Sequence, residues 1–320
     1  MSQAPDAEPV EKINLHPRNK HRNRYDFELL IQTSPQLKKY LKLNTYHDSA
    51  FDFTNPSAVK ALNQALLKQY YQLSNWDIPA NYLCPPVPGR ADYIHYLADL
   101  LVKTKTNMMP IGGQIRVLDI GVGANAIYPL IGQREYGWYF TGVDIDPKAL
   151  ANAQHILDTN YDLNTYITLR LQPSTTAIFK TVVNPNDRFD LTMCNPPFHD
   201  SKHAASAGTR RKWQNLGKNI NHAQILNFGG QNTELFCEGG ELGFIAHMIK
   251  ESTQIKTQCL WFTTLVSKAA NLTSIYRTLK QVNAVNVKTI NMAQGQKKSR
   301  FVAWTFLSTS QQHAWLKQKV

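Results

Sequence analysis

Cysteine is scarce in these 320 residues. Cys84, Cys194, Cys237 and Cys259 lie far apart with no C-x-x-C pair, which excludes a disulfide framework and a zinc-ligand pattern. Reduced thiols are expected. No uncharged apolar run approaches the roughly 18 to 20 residues that cross a bilayer. The opening Met-Ser-Gln-Ala-Pro-Asp also lacks a charged-then-apolar leader pattern, so a soluble cytoplasmic protein is expected. Glycine and proline number only 16 each and hydrophobic residues reach 42%, which excludes a collagen-like or disordered chain. Neither an internal repeat nor a heptad seam is present.

The most telling absence is of acid. After Glu251 there is no Asp or Glu, against ten Lys or Arg, so this last fifth carries nearly all of the net charge of +12. Two earlier windows are also basic without acids. One runs from Lys12 to Arg24 and holds Lys12, Arg18, Lys20, Arg22 and Arg24; the other, Ser201 to Thr233, holds Lys202, Arg210, Arg211, Lys212 and Lys218. Clusters of this kind attract polyanions through counterion release, and His16, His21, Trp213 and Phe228 add surfaces able to stack on bases. One basic run could merely solvate a surface. Three in one chain make nucleic acid the expected partner, with Lys297, Lys298 and Arg300 as further phosphate contacts.

The first 30 or so residues show no apolar period and read as a flexible basic tail. Asn55-Pro56 is a helix cap, and Val59, Leu62, Leu66, Leu67, Tyr70 and Leu73 then repeat at helical spacing to about Ser74. The prolines of Cys84 to Arg90 predict an extended linker, followed by a second helix through Tyr93, Ile94, Leu97, Leu100 and Leu101. From about Gln114, short apolar runs alternate with helical segments: 115–120, 138–144, 166–171, 189–194, 259–266, 285–292 and 300–307. Strand alternating with helix implies a parallel, doubly wound sheet. Only 293–299 separates the final two strands, which leaves no room for a helix and makes them antiparallel neighbours. The expected domains are a helical N-terminal module, 1–105, and an α/β domain, 106–320.

The first strand of that domain ends in Asp119-Ile-Gly-Val-Gly123-Ala-Asn. Gly121 and Gly123 allow a tight turn and a close backbone approach to a ligand. About twenty residues on, the second strand ends in Val143-Asp144, where nucleotide-binding α/β proteins grip ribose hydroxyls. A dinucleotide site would want a third glycine at Ala126, a position some such sites fill with alanine.

The fourth strand discriminates. Phe189 to Cys194 runs into Asn195-Pro196-Pro197-Phe198, a rigid turn at the carboxyl edge of the sheet. This turn resembles that of the class I adenosylmethionine-dependent amino-methyltransferases, which holds a planar nitrogen. Seven strands with an antiparallel terminal hairpin also match their Rossmann-like fold, whereas dehydrogenases have six parallel strands. The resemblance implies a role for each residue. An exocyclic amine conjugated to a purine is a poor nucleophile, because its lone pair is delocalised. The Asn195 side-chain oxygen and the Pro196 carbonyl can accept both amine hydrogens while Phe198 stacks on the ring, which aims the lone pair at a sulfonium methyl. No general base is then needed before transfer.

Further blocks narrow the likeness: His16-Pro-Arg-Asn19, Val87 to Tyr93, Leu118 to Gly132, Cys194 to His199, Asn227 to Gln231, Glu238 to Glu241 and Ala293 to Lys297. Together they resemble the bacterial ribosomal RNA large-subunit methyltransferase F family. The resemblance implies N6-methylation of one adenine of 23S ribosomal RNA, as free RNA or large-subunit precursor. It also implies S-adenosylmethionine as cofactor, no metal, and a monomer. Carried over residue by residue, Asp119, Gly121 and Gly123 line the cofactor site, Asp144 binds ribose, Gln172 edges the adenine and Asn195 borders the methyl. Arg90 meets the methionine carboxylate, an anion that suits a guanidinium fork. Glu238 to Glu241 reads as a turn before a helix at 242–249. Two rivals remain: a glutamine methyltransferase acting on translation factors, which shares the N-P-P turn, and a silent RNA-binding protein. Three acid-free basic windows speak against a peptide substrate, and the intact Asp119, Asp144 and Asn195 speak against silence.

Overall fold

The computed structural model describes residues 14–43, 49–105, 109–197, 237, 239–294 and 297–317. In chain order these form α1 (Phe27–Thr33), β1 (Leu41–Leu43), β2 (Ser49–Phe51), α2 (Pro56–Tyr71), α3 (Val87–Lys105), β3 (Arg116–Ile120), α4 (Ile127–Tyr136), β4 (Tyr139–Asp144), α5 (Pro147–Asp158), α6 (Leu163–Tyr166), β5 (Ile167–Leu171), β6 (Phe189–Cys194), α7 (Gly240–Ser252), β7 (Cys259–Leu265), α8 (Leu272–Gln281), β8 (Asn286–Gln294), β9 (Lys297–Thr305) and α9 (Thr309–Lys317).

Seven strands form one sheet in the order β5-β4-β3-β6-β7-β9-β8, in which β5 to β7 are parallel and β9 runs antiparallel to both β7 and β8. This is the class I methyltransferase arrangement. The central strands are covered on both faces, and β6 is buried at every position, whereas the edge strand β5 is buried only at Ile167. Val117, Leu191 and Met193 pack with α2, α3 and α4 on one face, while Leu118, Ile120 and Cys194 meet α7 and α8 on the other. The chain turns from β3 to β4 on one side and to β6 on the other. That reversal opens a crevice at the carboxyl ends of β3, β4 and β6, where open α/β sheets bind ligands.

Local signals place the helix starts. The Asn55 side chain accepts from the Ser57 and Ala58 backbone N–H groups ahead of α2, and that of Asp146 accepts from Lys148 N–H ahead of α5, each with proline at the first position. The helix expected to reach Ser74 ends at Tyr71, because Gln72 turns left-handed. Nor is the proline-rich linker extended to Arg90: α3 begins at Val87 and takes Pro88, Gly89 and Arg90 into its first turn, where a missing N–H costs no hydrogen bond.

The flexible-tail expectation is corrected for residues 14–25, which pack onto α2, α3 and α4. The His16 N–H donates to Asp92 Oδ1 at 2.9 Å, and Asn19 Nδ2 donates to the same oxygen at 2.6 Å and to the Pro88 carbonyl at 2.9 Å. Arg18 donates to Asp99 at 2.6 Å, to Tyr136 Oη at 2.9 Å and to the His95 carbonyl at 3.0 Å. His21 is fully buried against Tyr71 Oη at 2.9 Å. These hydrogen bonds let a segment without apolar periodicity bury itself.

Candidate active site

Parallel pairing sets the site's registration. Ile120 stands beside Val143 on one side and Cys194 on the other, so Gly121, Asp144 and Asn195 leave their strands at one level. Gly121 (φ +75°) and Gly123 (φ +66°) take the left-handed conformation that glycine adopts at least cost. The Gly121 and Val122 N–H groups donate to the Val143 carbonyl, and the Gly123 N–H donates to Asp144 Oδ2 at 2.8 Å. A Cβ on Gly121 would meet nothing within 4 Å, leaving open space over the turn. That space belongs to a cavity of about 580 Å³.

Arg90, Gly121, Gly123, Asp144, Gln172, Asn195 and Pro197 all line this cavity. Pro196 is buried beside them. Phe198 lies outside the described residues, as do Lys12, Arg210, Arg211 and Lys212. Asp119 lies buried within β3, with neither carboxylate oxygen hydrogen-bonded. Burial, reinforced by the nearby Asp144 charge, pushes its carboxyl up to about 8. Arg90 donates to Tyr128 Oη at 2.6 Å and stands over the Tyr128 ring at 5.3 Å, while its Nε is buried without a partner. Asn195 Oδ1 is also buried and unpartnered. Orphaned groups of this kind are costly unless a ligand completes them.

Gln172 is placed at the wall, but its amide is occupied. Its oxygen accepts from the Ser174 N–H at 3.0 Å and from Thr181 Oγ1 at 2.8 Å, and its nitrogen donates to the Ile178 and Lys180 carbonyls. It therefore shapes the loop after β5. The stretch between α2 and α3 does more than link them. Trp76 Nε1 donates to the Asn125 carbonyl at 2.9 Å, Tyr82 Oη donates to Asp146 at 2.6 Å, and Leu83 and Pro85 form cavity wall. Tyr128, His247 and Glu251 were also missed; Tyr128 stood within the Leu118 to Gly132 block, whereas the helix carrying the other two showed only its apolar period.

Among the basic residues, Arg18 is held by Asp99 and Lys20 by Glu135 at 2.8 Å, while Arg24 is exposed. Arg300 donates to the carbonyls of Val266 and Ser267. Strand β8 runs to Gln294 and β9 begins at Lys297, so the 293–299 loop is shorter than expected, and residues 295–296 lie outside the described residues. Because β9 is antiparallel to β7, the end of β8 and the start of β9 lie at the same sheet edge as the cavity. The turn at Gly239 does precede a helix, which begins at Gly240, and Glu241 accepts from the Ser267 N–H and Asn271 Nδ2. No metal-holding cluster and no helix long and apolar enough to cross a membrane occur among the described residues.

A family model described as RNA methyltransferase matches residues 10–308. The chain is 58% identical over 325 residues to the ribosomal RNA large subunit methyltransferase F of Methylobacillus flagellatus, with 97% of each chain covered. It is 53% identical over 317 residues to that of Pseudomonas aeruginosa, covering 98% of this chain and 94% of that one. This chain belongs to the ribosomal RNA large subunit methyltransferase F family. It is a methyltransferase of RNA, which sets aside the peptide-glutamine rival and the silent binding protein. The catalytic domain of human METTL16, solved in complex with the MAT2A 3'UTR hairpin 1, superposes with a TM-score of 0.78 at 29% identity, over 92% of this chain and 96% of that one. The human METTL16 N-terminal domain solved in complex with SAH gives 0.73 at 27% identity, over 92% and 99%.

Proposed function

We propose that this enzyme transfers the methyl group of S-adenosylmethionine to the exocyclic N6 amine of one adenine in 23S ribosomal RNA. The observation that carries the reading is Asn195 Oδ1: a buried acceptor without a partner, leaving β6 at the level of the Gly121–Gly123 turn and facing one cavity. Such an acceptor awaits a donor, and a planar amine supplies two. With one hydrogen held by Asn195 and the other by the Pro196 carbonyl, the amine is fixed for attack by orientation, and electrostatics rather than a base lowers the barrier. The cofactor supplies a methyl group made electrophilic by its sulfonium.

The residues present fit that cofactor. The unpaired Arg90 Nε suits a carboxylate, the bare Asp119 carboxyl suits a cation, Asp144 suits ribose hydroxyls, and Ile145, Ile178 and Phe244 offer apolar wall for a base. An adenine stacked in RNA cannot enter this crevice, so the target sits in a loop or is flipped out at a cost of a few kcal/mol. The human relative's complex with an RNA hairpin supports a structured substrate of this kind. We assign phosphate contacts to Arg24, to the 202–218 window and to Lys297, Lys298 and Arg300, and a supporting role to Arg18 and Lys20. Residues up to 105 serve as the RNA-holding module of a cytoplasmic monomer acting on 23S RNA or its large-subunit precursor.

Asn195→Ala tests the reading. Single-turnover transfer from labelled cofactor to 23S RNA should fall by at least about a hundredfold, with S-adenosylhomocysteine affinity within a few-fold of wild type. Near-normal turnover would refute the amine-holding role, and a methyl group mapped by mass spectrometry to any atom but adenine N6 would refute the chemistry.

A further inference from the structure

The loop after β5 is held by two side chains that divide its backbone between them. Gln172 takes the Ile178 and Lys180 carbonyls and the Ser174 N–H, as described above. Glu251 of α7, only 6% exposed, takes the N–H groups: its Oε1 accepts from Ile178, Phe179 and Lys180 at 3.1, 2.7 and 2.6 Å, and its Oε2 accepts from Ile178 at 2.9 Å. One turn earlier on the same helix, His247 Nε2 lies 3.0 Å from Glu251 Oε2. His247 lines the cavity beside Ile178 and Phe244. A carboxylate at Nε2 makes that nitrogen the protonated one, so the neutral ring keeps Nδ1 as an acceptor.

We propose that His247 Nδ1 accepts a hydrogen bond from the exocyclic amine of the cofactor's adenine, and that Glu251 is the positioning residue that holds both this ring and the Ile178–Lys180 wall against the base. This rests on reading the cavity as the cofactor site. Asp144 suits the ribose end, and the same cavity lining includes Ile145, Ile178 and His247, which puts an apolar face and the imidazole together. Gln172 and the three N–H groups of the loop are already engaged, and Thr176 Oγ1 pairs with Ser174 Oγ at 3.2 Å, which leaves the imidazole and the Thr175 hydroxyl on the lining. We assign discrimination of adenine from other bases to the imidazole, whose Nε2 is fixed by Glu251.

Calorimetric titration with S-adenosylhomocysteine and with its inosine counterpart, in which a carbonyl replaces the amine, tests this directly. Wild type should prefer the adenine form by about tenfold or more, as expected where an acceptor is left facing an acceptor. His247→Ala should lose about tenfold in S-adenosylhomocysteine affinity and lose the preference, while His247→Gln, which keeps an acceptor, should retain part of it. Glu251→Gln opposes an amide NH₂ to backbone N–H groups; it should raise the KM for S-adenosylmethionine roughly tenfold while leaving kcat at saturation within about twofold. A general loss of folding would instead lower the active fraction at unchanged KM. An undiminished preference in His247→Ala overturns the proposal, as does an unchanged KM in Glu251→Gln. Failure of the wild type to bind S-adenosylhomocysteine would overturn the cofactor reading itself.

Discussion

Asp119 and His95 are both buried titratable groups, yet they act on different quantities. Asp119 sits with its carboxyl pushed up to about 8 and no hydrogen-bond partner, so near pH 7 it is largely protonated before cofactor binding. A cationic ammonium brought beside it favours the carboxylate, so binding releases a proton and strengthens as pH rises toward 8. Between pH 6 and 8, cofactor affinity should climb by up to roughly tenfold per unit. Calorimetry of S-adenosylhomocysteine in buffers of different ionisation enthalpy should find close to one proton released per site at pH 7, and Asp119→Asn should abolish the release. Asp144→Ala, which removes acceptors for ribose, should weaken binding by roughly ten- to a hundredfold. His95 reports on stability instead. Burial holds it down to about 3, and Tyr136 Oη, 2.7 Å from Nδ1, accepts from Arg18 and so can donate to the neutral ring. Unfolded, His95 protonates near 6.5, so the unfolded state gains protons as pH drops from 6.5 toward 3. Stability from this group is full above pH 6.5 and declines below it by at most about 1.4 kcal/mol per unit. Denaturant melts of His95→Gln at pH 7 and pH 5 should show a smaller difference than wild type.

At the scale of elements, what could be read from the chain and what could not divide along a physical line. Strand β6, both proline-capped helices and the closing hairpin were legible because apolar periodicity and local capping determine them. Asp119, Asp144 and Asn195 were legible because they stand at or beside the carboxyl ends of such strands. The segment 14–25 was not, since its burial depends on hydrogen bonds to Asp92 and Asp99, more than seventy residues away, and no local pattern encodes those. His247 and Glu251 were hidden for a like reason: a carboxylate that binds three loop N–H groups looks, in a sequence, like any helical glutamate. The packed N-terminal segment also changes an expectation. Deleting the residues before Tyr25 should not spare the fold, because Asp92 and Asp99 lose their partners and α3, which carries Arg90, loses its brace. Asn19→Ala alone should cost about 1 to 3 kcal/mol by thermal melting and should also lower S-adenosylhomocysteine affinity. Wild-type melting and affinity in the deletion variant would restore the flexible-tail description.

For the molecule as a whole, charge is arranged by edge. The end of β8 and the start of β9, which carries Lys297 and Lys298, lie on the sheet edge that holds the cavity, and the chain after Glu251 has no acid. RNA affinity should therefore fall steeply with salt, the logarithmic slope losing about 0.7 to 0.9 for each phosphate contact removed. Replacing Lys297, Lys298 and Arg300 by Gln should flatten the slope by up to about 2 to 3, measured by filter binding across a salt series. An unchanged slope would leave this edge as solvated surface.

Strand β9 follows both β7 and β8 in the chain but lies between them in the sheet. During synthesis, therefore, β7 cannot be covered by the next strand to emerge. Its outer backbone stays open while β8 is made, an invitation to pair with another unfinished chain. Only when β8 and β9 have folded back on each other does a partner for β7 exist, and the strand that ends this exposure is the last of the three to be translated.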